Sequence, residues 1–482
     1  MSRFPVWYSR AVSRVRWRRV DVALALAFLV TLPAVNTRIH ASDEIENFAY
    51  LRSLWFDGDL SFDNEYRYFY EHGETRDEGF RATFIDGPNA VTATGLRPNY
   101  APIGSAILWA PFYAVADAGV RVARRFGSTT PADGYSRPYL AAITIGSAIY
   151  GALAVALSIA VARRLVAGPA RVAGIVALAG TPLIFYMYAM PGMSHATSAF
   201  AVGLFVWTWL RVRERWTVAG VAVLAAEGGL MGMVREQDAF LVLVPAVDYL
   251  WTRVRDGRLS LGDAAVRLAV SAPVFVLGFL PQLLAYKTLY DRFGPSKIIG
   301  DKMFWYAPWA FGVAFSPAHG WFVWTPLAAI AIAGLVAAAW LRPIRTDVPD
   351  GSRIAALLLL AVAIEVYVVG SLRSWTLAGA FGQRRFVGLT VCLTAGLALL
   401  WARLNQPAGR RIAVVAGVLA VWWNLGLAIR FGENSMNRQR LELRRDLYAT
   451  FVDLPRRLPV VAWRYLFDRG SFYQSRGGGP PG

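Results

Sequence analysis

Cysteine is all but missing. Cys392 is the only one and it sits inside an apolar run, so no intramolecular disulfide can form. No nucleotide-phosphate loop, zinc motif, Ser-His-Asp motif or CxxC pair is present, which argues against ATP-driven chemistry. Charge is sparse: 17% of residues are Asp, Glu, Lys or Arg, against 56% that are hydrophobic. That balance excludes a soluble domain. No internal repeat is visible, so a transporter built from two matching halves is disfavoured. The small-x-small pattern before Ser42 is spoiled by Ile39, so the first apolar run reads as an uncleaved helix and not as a leader peptide.

What is there instead is a series of long apolar runs of the length a ~30 Å hydrocarbon layer demands. They predict an all-α polytopic membrane protein with about eleven transmembrane helices. The expected spans are 20–36, 139–161, 172–190, 196–210, 217–234, 239–251, 264–286, 321–341, 354–372, 386–401 and 412–429. The net charge of +18 invites a nucleic-acid reading, but the arginines do not form one patch. They cluster in the turns at 163–171, 211–215, 253–258, 342–353 and 403–411. If the run 101–120, broken by Pro102 and Pro111, lies on the surface or re-enters, all five turns face inward as the positive-inside rule requires. Residues 1–19 then form a cytoplasmic basic terminus and 20–430 a transmembrane bundle. Residues 38–137 form a long first outer loop, and 431–482 an interfacial tail that ends in a frayed Gly-Gly-Gly-Pro-Pro-Gly.

The chain is organised around Ser42 to Tyr66, which holds seven acids in 25 residues of an otherwise basic protein. Ser42 suits an N-cap, with Asp43 and Glu44 in the first helical turn. Ile45, Phe48 and Leu51 recur at helical spacing and predict a helix lying on the membrane surface. Asp57-Gly58-Asp59 ends it. All four histidines (His40, His72, His195, His319) fall on the outer side of this topology. So do the short turn Arg235-Glu236-Gln237-Asp238, the loop 287–320 with its lysines and tryptophans, and Gln383-Arg384-Arg385. Asp43 and Glu44 fit two accounts: acids favoured by the helix dipole, or a general base and its support. Arg384 and Arg385 fit a lipid headgroup or a phosphate ligand. Glu227 and Glu365 lie inside spans and need a partner or a wet cavity; Arg235 is the nearest candidate for Glu227.

This layout resembles the GT-C glycosyltransferases, which include protein O-mannosyltransferases, the aminoarabinose transferase of lipid A and lipopolysaccharide-core transferases. The resemblance rests on Asp43-Glu44, on LRSLWFDGDLSFDNEY with YAPIGSAILWAPFY after it, and more weakly on PGMSHA and GQRRF. It implies an enzyme of the plasma membrane that works on the extracytoplasmic face. That enzyme would transfer a sugar, with inversion, from a polyprenyl-phosphate donor to a hydroxyl of a lipid or glycan acceptor. Asp43 would be the base, Glu44 its support, and Arg235, Arg384 and Arg385 the donor-phosphate ligands. His195, Glu236, Asp238 and His319 would contact sugar or acceptor. Many members carry a second acid where this chain has His195; a divalent metal beside Asp43 is the one cofactor left open, and no metal ligand set is assigned. A lipid-linked glycan flippase and an O-antigen polymerase or ligase are the rival readings.

Overall fold

The computed structural model describes residues 19–75, 77–341, 346, 348, 350–376 and 379–468. Arg342, Arg345, most of the basic amino terminus and the glycine-proline end lie outside them. The first apolar run forms α1 (Arg19–Thr31), followed by α2 (Ser42–Arg52), α3 (Asp63–Glu71) and α4 (Glu78–Phe84). Next come α5 (Gly104–Arg125), α6 (Arg137–Leu165), α7 (Ala170–Ala179), α8 (Leu183–Tyr188), α9 (His195–Val212) and α10 (Val218–Val234). A 3-10 turn at Glu236–Val242 leads into α11 (Leu243–Arg255), then α12 (Leu261–Tyr290), α13 (Lys297–Gly300) and α14 (Ala310–Phe315). The chain continues through α15 (Trp321–Trp324), α16 (Pro326–Trp340) and α17 (Gly351–Gly370). A second 3-10 turn, Arg384–Leu389, opens α18 (Thr390–Arg403). The last helices are α19 (Pro407–Gly432), α20 (Leu443–Tyr448) and α21 (Leu454–Phe467).

Helix occupies every expected span, but not as eleven unbroken crossings. Among the described residues, six helices are long and apolar enough to cross a membrane by length and composition. Two of the others, 172–190 and 321–341, are interrupted for local reasons. Gly180-Thr181-Pro182 separates α7 from α8, and Thr325-Pro326 separates α15 from α16, because proline has no N–H to continue the ladder. Helix α5 is one of the six long ones, although its sequence reads as a surface or re-entrant segment. Its partners locate it: Tyr150 donates to the Leu108 carbonyl, Phe112 packs on Tyr150, and Tyr139 donates to Asp117. Helix α5 therefore runs antiparallel to the first half of α6, and these contacts stop short of α6's far end.

The arginine-rich turns converge at one end of the bundle. Arg163 and Arg171 both bind Asp21, at 2.6 and 2.8 Å, and Arg164 pairs with Glu214. Asp248 is fully buried there, where it accepts from Trp209 Nε1 at 3.0 Å and Arg213 Nε at 2.8 Å and pairs with Arg353. One carboxylate thus ties together the ends of α9, α11 and α17. We expect Asp248→Ala to lower stability by about 3 kcal/mol, since it leaves Arg213 and Arg353 only their longer ion pairs with Asp350, and a thermal melt in detergent checks it. Helices α9 and α17 lead from this end to the opposite one, where the acidic helix sits.

Helix α2 is not the surface helix its spacing suggests. Glu44 through Leu51 are all buried, and α2 packs into an aromatic cluster with α3 and α5 that includes Phe48, Tyr66, Phe69 and Tyr113. Its N-cap is Ala41, not Ser42. Gly58 closes the segment in the left-handed region at φ +74°, where glycine carries no Cβ strain.

Candidate functional site

Four parts of the chain meet at the end away from the arginine turns: the start of α2, the Pro191–Ser194 turn before α9, the 3-10 turn after α10, and the 3-10 turn before α18. Asp43 faces outward from α2, and its Oδ2 lies 2.7 Å from Arg384 Nη1. Burial works against ionising Asp43, but the charges of Arg384, Arg235 and Arg385 outweigh it and hold the carboxyl below its ordinary value. Its side chain is still 45% accessible, because it opens onto a cavity rather than onto packed protein.

Glu44 is built differently. It is fully buried; Oε2 accepts from the backbone N–H of His40 and of Ala41, and Oε1 from that of Gly192, each at 3.2 Å. A Cβ at Gly192 would stand 3.0 Å from Glu44, so the PGM turn needs glycine for this approach. Burial pushes the Glu44 carboxyl up to about 7. Glu44 therefore clamps the α9 turn to α2 and positions Asp43's helix. Removing it should be felt as lost stability: Glu44→Ala leaves the buried Gly192 N–H unmatched, at about 1–3 kcal/mol, and the half-buried N–H groups of His40 and Ala41 to water. A thermal melt compared with Asp43→Ala tests this.

Arg235 reaches His195 Nδ1 at 3.0 Å and Ser194 Oγ at 3.3 Å, and it also meets Gln237 Oε1 at 3.3 Å. Gln237 in turn donates to Glu365 and to the Arg385 carbonyl, both at 2.8 Å. Asp238 is buried and accepts from Ser198 Oγ at 2.6 Å; burial raises its carboxyl. Glu236 is partly exposed beside Arg235, and burial pushes it up to about 7. Arg385 makes no ion pair among the described residues, and its Nε is buried without a partner.

The structure thus brings together Asp43, Arg235, Arg384, Arg385, His195, Glu236 and Asp238, as well as Glu365. It sets His319 behind the Gly382-Gln383 segment that leads to Arg384: that ring is fully buried, stacks on Trp324 with centroids 4.7 Å apart, and contacts the Gly382 carbonyl at 3.2 Å. Arg235 does not pair with Glu227, which instead accepts from Thr208 well down α9. Two members escaped the sequence reading. Gln237 is one. Glu46 is the other, one helical turn after Asp43 and buried, with Oε1 accepting from Tyr100 N–H at 2.7 Å. The i, i+3 spacing from Asp43 was the available signal. Toward a divalent cation, Asp43 offers a carboxylate already paired with Arg384, and Glu44's oxygens accept from backbone N–H groups. Among the described residues no group of three or more His, Cys, Asp or Glu side chains is placed to hold a metal ion.

The sequence matches no family model and no curated protein. Among solved structures it is similar to ArnT from Cupriavidus metallidurans bound to undecaprenyl phosphate. The TM-score is 0.52 and the identity 16%, covering 94% of this chain and 75% of that one. The apo state of ArnT from the same organism matches with a TM-score of 0.50 and 15% identity over the same shares, 94% and 75%. Such identities speak to architecture alone, and in architecture the chain has a GT-C-like fold.

Proposed function

We propose that the protein is a glycosyltransferase that moves a sugar, with inversion, from a polyprenyl-phosphate donor to an acceptor hydroxyl on the extracytoplasmic face of the membrane. The observation that carries the reading is the meeting of one ionised, accessible carboxylate with three arginines at the rim of a membrane-protein bundle. Asp43 takes the proton of the acceptor hydroxyl as that oxygen attacks the anomeric carbon. The bond from that carbon to the phosphate oxygen breaks, its electron pair goes to the phosphate, and polyprenyl phosphate leaves. Arg235 and Arg385, beside the Arg384 that pairs with Asp43, hold the charge that builds on the leaving group. A binding partner supports the donor class: an ArnT of the same architecture was crystallised with undecaprenyl phosphate.

The test uses purified protein in nanodiscs and an undecaprenyl-phosphate-linked sugar. Transfer releases undecaprenyl phosphate and inverts the anomeric centre. A flippase would move the lipid without breaking that bond. Release unaltered in the Arg235→Ala, Arg385→Ala double variant would remove the phosphate assignment.

Glu46 adds a pH prediction. Burial, and then the neighbouring Asp43 charge, push its carboxyl up to about 8. The folded site therefore holds a proton there that the unfolded chain releases near 4.5. The stability it confers is full below 4.5 and is lost as pH rises toward about 8. Above that, a second negative charge would stand beside Asp43 and compete with it for Arg384. Transfer should fall through this alkaline limb, and Glu46→Gln should flatten it while leaving the acidic limb in place; an unchanged alkaline limb would clear Glu46 of the role.

A further inference from the structure

A cavity of about 1400 Å³ opens beside Asp43. We propose that it is the acceptor site, and that the acceptor is an amphipathic lipid with a hydroxyl on its headgroup. This rests on reading Asp43 as the base and Arg235 and Arg385 as phosphate ligands. Inversion places the nucleophile and the leaving group on opposite sides of the anomeric carbon. Asp43 and Arg384 line the cavity, whereas Arg235 and Arg385 do not. The cavity is therefore on the nucleophile's side of the reacting carbon.

Its lining is graded. The segments that flank α2 and α3 give it polar walls, with Arg38, Glu74, Thr75 and Asp77. Helices α19 and α21 give it apolar walls, with Leu425, Ile429, Val461 and Ala462. A charged end for a headgroup continues into an apolar end for a chain. The volume exceeds the ~300–1,000 Å³ usual for small-molecule sites.

One wall is helix α21, which contributes Leu458, Val461, Ala462 and Tyr465. Tyr465 ties it to the 3-10 turn Leu32–Ala34 after α1 by donating to the Ala34 carbonyl at 2.8 Å. The opposite face of α21 exposes Val460, Trp463, Leu466 and Phe467, each 58–68% accessible, among Arg456, Arg457 and Arg464. That is the make-up of a helix lying in a lipid interface. The apolar end of the cavity is thus one helix away from the layer where lipid chains lie, a placement a peptide or free-glycan acceptor does not need.

The experiment places a benzophenone side chain at Leu425 or Ile429 of the full-length protein in phospholipid nanodiscs. The probes are monoglucosyl diacylglycerol and undecaprenyl phosphate. The expected result is capture of the glycolipid several-fold above bulk phospholipid. Excess undecaprenyl phosphate should not displace it, and Ala462→Trp on the exposed α21 should reduce it several-fold. Capture of undecaprenyl phosphate in the glycolipid's place would overturn the proposal, since the donor chain would then occupy the cavity. Recovery of donor-derived sugar in protein or water-soluble glycan, and not in the lipid extract, would overturn it too. A separate arm checks the underlying reading: thermal stabilisation by undecaprenyl phosphate should vanish in the Arg235→Ala, Arg385→Ala variant. Stabilisation that persists there defeats the phosphate assignment while leaving the capture result to stand or fall alone.

Discussion

Asp43→Asn is expected to cut sugar transfer by about 10²–10⁴-fold, the usual worth of a positioned general base, with little change in melting temperature. Asparagine keeps the shape and can still face Arg384, but it cannot take a proton. The structural cost should be small for two reasons. The side chain is 45% accessible, so the ion pair with Arg384 is partly screened. The helix-dipole contribution of a first-turn acid is only ~0.3–1 kcal/mol. The neighbour gives the contrast. Glu44 is sealed in by backbone donors, so its loss should appear in the melt before it appears in the chemistry. The pair thereby separates the two accounts that the sequence leaves open. An acid kept only for the dipole predicts full transfer in Asp43→Asn, and that outcome, measured as undecaprenyl phosphate released per enzyme, would end the base assignment.

Much of this arrangement could be read before the fold was known, because membrane physics writes it into short-range pattern. Arginines at apolar-run ends marked one end of the bundle, and the structure gathers Arg163, Arg171, Arg213 and Arg353 there around Asp21 and Asp248. The leftover polar turns marked the other end, and Asp43, Arg235, Arg384 and Arg385 do meet at it. What hydropathy could not show was how the runs break. It sums over a window and is blind to a Gly-Thr-Pro interruption, so α7 and α8 read as one span. Nor could periodicity show that Glu44–Leu51 of α2 are all buried, because the aromatic cover comes from Phe69, Phe80 and Tyr113, distant in sequence. Sidedness alone groups His319 with the site; its ring stacks on Trp324 and meets the Gly382 carbonyl. Glu46 is hidden in sequence because Asp43 and Glu44 are adjacent, whereas Asp43 and Glu46 share a face only once the helix is wound.

Arg385→Ala should do two opposite things. Donor use should fall by about 10²–10³-fold, the usual cost of removing one preorganised donor at a developing oxyanion, and the protein without substrate should become more stable. The second effect follows from what Arg385 lacks. Asp43 is engaged with Arg384, and Glu365 with Gln237, so no carboxylate among the described residues closes an ion pair on Arg385. Its Nε is buried without a partner. A largely buried cation held this way is a standing cost, tolerated where it waits for an anion. Alanine removes both the cost and the anion's ligand. Lysine restores the charge but not the planar fork, so Arg385→Lys should recover only part of the activity. The measurement is a melt with and without undecaprenyl phosphate. The native protein should be stabilised by the lipid, whereas Arg385→Ala should begin higher and gain much less. If alanine lowers the substrate-free melting temperature, Arg385 is a structural cation and the phosphate must be held elsewhere.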